Sequence, residues 1–168
     1  LTLMPLPSEL YQQQVASASL TFDDAQSMLI QKLDSKAQEI TKHCQHNPWM
    51  HLLSSPCASN GLYLHGPPGS GKTMLMRLMF SAIDTEKKQW MHFHAFMDWL
   101  HETLASKQGH NNPISAIAKD YAKSVKFLCF DEFHVTDIAN ASLLGNMLQH
   151  FTYAGVMMMC TSNIAIED

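Results

Sequence analysis

The octapeptide Gly66-Pro67-Pro68-Gly69-Ser70-Gly71-Lys72-Thr73 fills the spacing G-x-x-x-x-G-K-[ST]. No other feature constrains the fold of this chain as tightly. The string acts as a phosphate loop only when a strand precedes it and a helix follows. Both flanks fit. Leu62-Tyr63-Leu64-His65 reads as a short buried strand, and Met74, Leu75, Leu78, Met79 and Ile83 recur at helical spacing. A loop held there aims successive backbone N–H groups, and the positive end of a helix dipole, at an anion. Glycines let the backbone turn tightly and approach that anion with no Cβ in the way. Lys72 then reaches the outer phosphates of a nucleotide, and the Thr73 hydroxyl ligates Mg²⁺.

A length of 168 residues allows one domain with a single substantial core. Hydrophobic residues at 46% against charged residues at 15% point to a globular chain, not a disordered one. The net charge of −4 does not favour nucleic acid as a partner. No run of eighteen apolar residues is present, so no membrane span is expected. Neither a signal peptide nor an Arg-rich transit segment opens the chain. Cys44, Cys57, Cys129 and Cys160 have no paired spacing, and the last two sit in apolar strand-like runs. They read as buried thiols of a reducing compartment. The chain begins with Leu1 and stops at Ile166-Glu167-Asp168, just past a strand-like run, so it is expected to be a piece of something longer.

Residues 1–60 are expected to form an N-terminal arm, an amphipathic helix and a linker, and residues 61–168 a phosphate-loop core. Pro5, Pro7 and the run Gln12 to Gln14 suggest a surface arm over the first twenty residues. Thr21-Phe22-Asp23-Asp24 resembles a helix start. Phe22, Ala25, Leu29, Leu33, Ala37 and Ile40 supply an apolar face to about Lys42, and Pro48, Pro56 and Asn60-Gly61 mark a linker. Trp90 to Ala95 is a second strand candidate, followed by a helix with Phe96, Leu100 and Leu104 inward and Gly109 at its end. Asn112-Pro113 starts another helix, with Ile114, Ile117 and Tyr121 inward. Asp137 caps a last helix carrying Ile138, Leu144, Met147, Leu148 and Phe151. Val156 to Thr161, apolar on both faces, suits the centre of a parallel sheet. The alternation specifies a three-layer α/β domain with a parallel sheet.

Val125 to Phe130 is an apolar strand ending on Asp131-Glu132. In a phosphate-loop domain the first carboxylate orients the Mg²⁺ shell, and the second polarises a water for attack on the γ-phosphate. Adjacent strand residues face opposite ways, so the two acids are expected to do different jobs. Thr161-Ser162-Asn163 ends the next strand, where a polar side chain can touch the γ-phosphate or the attacking water. Alone, Ser-Asn is ordinary turn chemistry. In this order, the three elements specify an additional-strand phosphate-loop ATPase.

Longer strings narrow the family. Trp90-Met91-His92-Phe93-His94-Ala95-Phe96-Met97, Cys129 to Ile138, Gly61 to Gly66 and Lys72 to Met76 resemble the ZapE family of cell-division ATPases and their mitochondrial lactation-elevated-protein relatives. The resemblance runs from about Leu20 to the C-terminus. It implies an AAA+-type ATPase using ATP and Mg²⁺, with Gly66 to Thr73 on the nucleotide and Lys72 on its outer phosphates. It further implies Thr73 and Asp131 on the metal, Glu132 as base and Asn163 as sensor. A protein partner, from division machinery or a substrate protein, is implied, and a homo-oligomer is compatible with it. The place would be a bacterial cytoplasm, at the division site, or a mitochondrion in a eukaryote. Arg77, His134 and Asn140 depart from the family's usual residues without touching the phosphate chemistry. Family members continue past Asp168 with a last strand, a lid and arginines, so these residues alone are expected to hydrolyse ATP poorly.

Other readings compete. Asp131-Glu132-Phe133-His134 also spells a D-E-x-H helicase box, and an ATP-dependent assembly switch with little turnover would need the same loop. His43, Cys44, His46, His51 and Cys57 cluster without any standard zinc spacing. His92 and His94, two apart on a strand, would face one way, which suits packing at a strand end better than a metal. Lys119, Lys123 and Lys126 read as a solvated helix face more than a nucleic-acid stripe. Met74, Met76 and Met79 read as core filling.

Overall fold

The computed structural model describes residues 4–45, 61–107, 109, 111–135 and 137–164. The elements run α1 (Pro7–Ala16), α2 (Asp24–Gln45), β1 (Gly61–His65), α3 (Lys72–Ala82), β2 (Lys88–His92), α4 (Phe93–Ser106), α5 (Pro113–Ser124), β3 (Phe127–Asp131), α6 (Ile138–Tyr153) and β4 (Met157–Ser162). The four strands are all parallel, in the order β1-β4-β3-β2. β4 therefore lies between the strand that feeds the phosphate loop and the strand that ends in Asp131. This is the additional strand expected from the order of the motifs.

Strand alternation divides the core. Phe127 and Cys129 of β3, with Met157 and Met159 of β4, face a layer made of α1, α2 and α3. Leu128 and Phe130, with Met158, face α4, α5 and α6. Both faces of the sheet are thus covered, which is why β3 is apolar as far as Phe130 and β4 as far as Cys160. Phe96, Phe127, Phe130 and Phe151 are completely buried, and each contributes roughly 1.5–3 kcal/mol of apolar transfer free energy. Met76 and Met79 are buried core filling, as expected, while Met74 is half-buried. No helix of the described residues is long and apolar enough to cross a membrane.

Several local expectations are corrected. The supposed surface arm contains α1, whose Tyr11 is buried against α2 and α3. α2 starts at Asp24, after Asp23, whose Oδ1 accepts from Gln26 N at 2.8 Å. Phe22 is left 56% exposed, and Ile30 joins Leu33, Ala37 and Ile40 on the buried face. β2 ends at His92, and His94 and Ala95 belong to the first turn of α4. His92 and His94 therefore do not share a strand face. Ile138 is 89% exposed, because it opens α6 before the Leu144, Met147 and Phe151 stripe reaches the sheet.

The caps behave as their chemistry requires. The Asn112 side chain accepts from Ser115 N, and the Asp137 side chain accepts from Ala139 N. His43 and Cys44 close α2, while His46, His51, Cys57 and the linker prolines lie outside the described residues. No group of three or more potential metal ligands occurs among the described residues. The lysine stripe does not form as such. Lys123 pairs with Asp120, which also takes Lys107, and Lys126 is half-buried.

Candidate active site

The loop after β1 is held to the sheet at its entry, where Gly66 N donates to Ser162 O at 3.2 Å. It then turns through Ser70 N to Pro67 O, with Gly69 at φ 80° and Gly71 at φ 86°. Such left-handed backbone costs any residue with a Cβ, which explains glycine at both positions. Gly71 caps α3, so the first-turn N–H groups of that helix face the hollow of the loop. Lys72 curls back over this hollow. Its Nζ donates to Gly66 O and Pro67 O at 2.8 Å each, and approaches Ser70 Oγ at 3.4 Å. The ammonium is thus stationed within the loop by the loop's own oxygens.

Asp131 ends β3 on the face covered by α3 and is buried. Its Oδ1 accepts from Thr161 Oγ1 at 2.6 Å, from Glu132 N at 3.1 Å and from Thr73 Oγ1 at 3.2 Å. Three chain segments, more than fifty residues apart at their extremes, therefore meet on one oxygen. The Thr73 hydroxyl and the Asp131 carboxylate form a pair of hard oxygen donors of the kind Mg²⁺ takes. The residues present fit that ion.

Glu132 sits differently from the expectation. It does not continue the strand: its φ is 58°, and the side chain is exposed. It is exposed where Asp131 is buried because the chain turns out of the sheet there, not because strand faces alternate. Glu132 N is also 3.3 Å from Thr161 Oγ1, and Phe133 N donates to Thr161 O at 2.8 Å. Left-handed backbone in a non-glycine residue at a cleft is strain that the surrounding bonds must hold.

A cleft of about 370 Å³ brings Lys72, Thr73, Asp131, Glu132 and Asn163 together, with Pro68, Gly69 and Gly71 along its wall. Gly66, Pro67 and Ser70 stand behind it as the lysine's oxygen partners. Asn163 is exposed immediately after β4. The residues singled out in the sequence are thus gathered in one place.

Two further residues belong to this neighbourhood and were not singled out as site residues. Thr161 fixes Asp131, and strand alternation with the buried Met157 and Met159 could have pointed it inward. Gln26, from α2, reaches the loop at Ser70 O, and nothing in the spacing signals this. His92 is in register with Asp131 on the neighbouring strand but is exposed and does not line the cleft. At the departing position Asn140, the side-chain oxygen meets His101 Nε2 at 3.2 Å. Another departure, Arg77, sits with its guanidinium carbon 6.0 Å from the centroid of the Trp90 ring.

Comparison with known proteins agrees with the sequence resemblance. A family model described as AFG1-like ATPase matches residues 6–168, so the likeness reaches back through α1. The cell division protein ZapE of Escherichia coli K12 is 42% identical over 108 residues, 64% of this chain and 29% of that protein. Lactation elevated protein 1 homolog B of Danio rerio is 34% identical over 126 residues, 68% of this chain and 25% of that protein. The chain thus spans under a third of the length of these curated relatives. Among solved structures, AMPPCP-bound DnaA from Aquifex aeolicus superposes with a TM-score of 0.58 at 11% identity. That match covers 86% of this chain and 40% of DnaA, a likeness of fold.

Proposed function

The chain belongs to the AFG1-like ATPase family, and from that premise we propose that it binds ATP with Mg²⁺ and hydrolyses it to ADP and phosphate. The observation that carries this reading is the meeting of Thr73 and Asp131 beside Lys72 and Glu132 in one cleft. Gly66, Pro67, Pro68, Gly69, Ser70 and Gly71 form the cradle, whose N–H groups bind phosphate oxygens. Lys72 exchanges its loop carbonyls for the outer phosphates. Thr73 and Asp131 hold Mg²⁺, which neutralises phosphate charge when bound.

Glu132, outside the strand and open to the cleft, takes a proton from water. That water's oxygen forms a bond to the γ-phosphorus, and the bond from the γ-phosphorus to the bridging oxygen breaks, releasing ADP. Asn163 orients the γ-phosphate or the water. Turnover is proposed to drive remodelling of a protein partner, in division machinery by analogy with the name of the E. coli relative. A homo-oligomer in a bacterial cytoplasm suits that role, and a mitochondrial setting suits a eukaryotic source.

The test is ATP turnover by the intact protein. Lys72→Ala should abolish nucleotide binding. Glu132→Gln should keep binding and lose turnover by at least a hundredfold, the range set by loss of general-base catalysis. An unchanged rate in Glu132→Gln would remove the base assignment. Stimulation by single-stranded nucleic acid would favour a helicase, and nucleotide-triggered assembly without turnover would favour a switch.

A further inference from the structure

A contact with no role assigned so far joins α2 to the phosphate loop across 44 residues of sequence. Gln26 is half-buried in the first turn of α2. Its Nε2 donates to Ser70 O at 3.4 Å, a long bond, and the same nitrogen packs against Gly71. A Cβ added to Gly71 would come within 2.7 Å of Gln26 Nε2 and 3.4 Å of its Cδ. The carboxamide fills the space that the glycine leaves.

Gln26 is itself braced. Its backbone N donates to Asp23 Oδ1 at 2.8 Å, and Asp23 N donates to Tyr11 Oη at 2.9 Å. Tyr11 is 2% exposed, locked between α1 and the layer beneath it. The first turn of α2 is therefore fixed to the core on one side and to the loop on the other.

The geometry of one peptide unit gives this contact its meaning. In a planar trans peptide the carbonyl and the N–H point in opposite directions. Holding Ser70 O towards Gln26 aims Gly71 N–H away from Gln26, and Gly71 lines the cleft. With glycine at position 71, at φ 86°, the change of φ that a flip of this peptide requires there has little local steric cost. A flipped peptide would turn a carbonyl oxygen towards the phosphate.

We propose that Gln26 is a positioning residue of the nucleotide site. Its carboxamide selects the orientation of the Ser70–Gly71 peptide in which Gly71 N–H is offered to phosphate. The helices α1 and α2 thereby form part of the site. This inference rests on the ATP-binding reading above.

The test uses the intact protein and titrations with ATP, ADP and GTP. Gln26→Met keeps the size of the side chain and removes the donor. It should raise the dissociation constants for ATP and ADP by the same factor, roughly three- to tenfold, the worth of one ordinary hydrogen bond. Gln26→Glu puts an acceptor opposite Ser70 O and should be worse than Gln26→Met. KM should rise while kcat stays within about twofold, the signature of lost uniform binding. The ratio of ATP to GTP affinity should not change.

Wild-type affinity in both variants would overturn the inference, as would an effect on ATP without one on GTP, which would make Gln26 a base reader. Loss of affinity seen only with a lowered unfolding temperature would overturn it too. Wild-type protein that binds no nucleotide would remove the functional reading itself. Wild-type binding with unaffected variants would remove this inference alone.

Discussion

Thr161 Oγ1 donates to Asp131 Oδ1 at 2.6 Å, the shortest of three hydrogen bonds on that oxygen, and both residues are buried. A hydroxyl bonded to a carboxylate at this distance is charge-assisted and stronger than a neutral pair. It leaves Asp131 one orientation, the one that keeps Thr73 within reach. Thr161→Val keeps the shape and removes the donor, at a cost of about 1.5 kcal/mol or more. ATP binding should survive, while the Mg²⁺ concentration for half-maximal turnover rises by about tenfold. A Mg²⁺ titration of turnover checks this, and an unchanged midpoint would reduce Thr161 to a packing residue.

Gly69 and Gly71 have nearly the same backbone, with φ of 80° and 86°, yet different surroundings. A Cβ on Gly69 meets nothing within 4 Å, whereas one on Gly71 strikes Gln26. Gly69→Ala should therefore suffer only the left-handed penalty of about 1–2 kcal/mol. Gly71→Ala suffers the same penalty and must also push out the Gln26 carboxamide. Nucleotide titration of the two variants should rank Gly71→Ala as clearly the weaker binder. Equal affinities would show that the loop tolerates displacement of Gln26.

Residues with periodic or pairwise signals were placed well from sequence, and residues acting through tertiary contact were not. The stripe Leu75, Leu78 and Met79 after the loop, the two-sided apolar run of β4, and the caps Asn112 and Asp137 all appear as read. Helix α1 was hidden because only Pro7 and Tyr11 are buried in a glutamine-rich segment, too few to make a stripe. The run from Trp90 to Ala95 is aromatic enough for a strand, but packing of Phe93 and Phe96 under the sheet makes it helical from Phe93. At the cleft, residue types announced the loop, Asp131 and Glu132. The positive φ of Glu132 and the reach of Gln26 depend on chain segments that no local pattern relates.

Stability should fall on the alkaline side. Burial pushes the Cys44 thiol up to about 11 and Cys160 up to about 12. Burial also raises Cys129 and the Tyr121 phenol well above their usual values. Above the ordinary thiol value of 9.0, the unfolded chain releases protons that the native chain keeps. Stability is then full below about pH 9 and declines as pH rises through the window to 11 and 12. Lys88 and Lys126, lowered by burial, act in the opposite sense just below 10.5, but both are half-exposed and weaker for it. Urea midpoints under reducing conditions at pH 8, 9.5 and 10.5 should decrease in that order. A constant midpoint would show that the native thiols ionise freely.

Asn112 offers a test of stability apart from nucleotide chemistry, because α5 packs on the face of the sheet away from the phosphate loop. Its side chain accepts from Ser115 N at 3.2 Å, and its own φ is 58°. Asparagine is one of the few residues that both caps a helix and accepts left-handed backbone cheaply. Asn112→Gly keeps the backbone freedom and loses only the cap, a few tenths of a kcal/mol. Asn112→Ala loses the cap, about 1 kcal/mol, and adds the left-handed strain of a Cβ, about another 1 kcal/mol. Denaturation should therefore place alanine below glycine at this position, the reverse of their order inside a helix. Nucleotide affinity should be the same in both. Alanine as stable as glycine would mean that the residue leaves the left-handed region when the cap is removed.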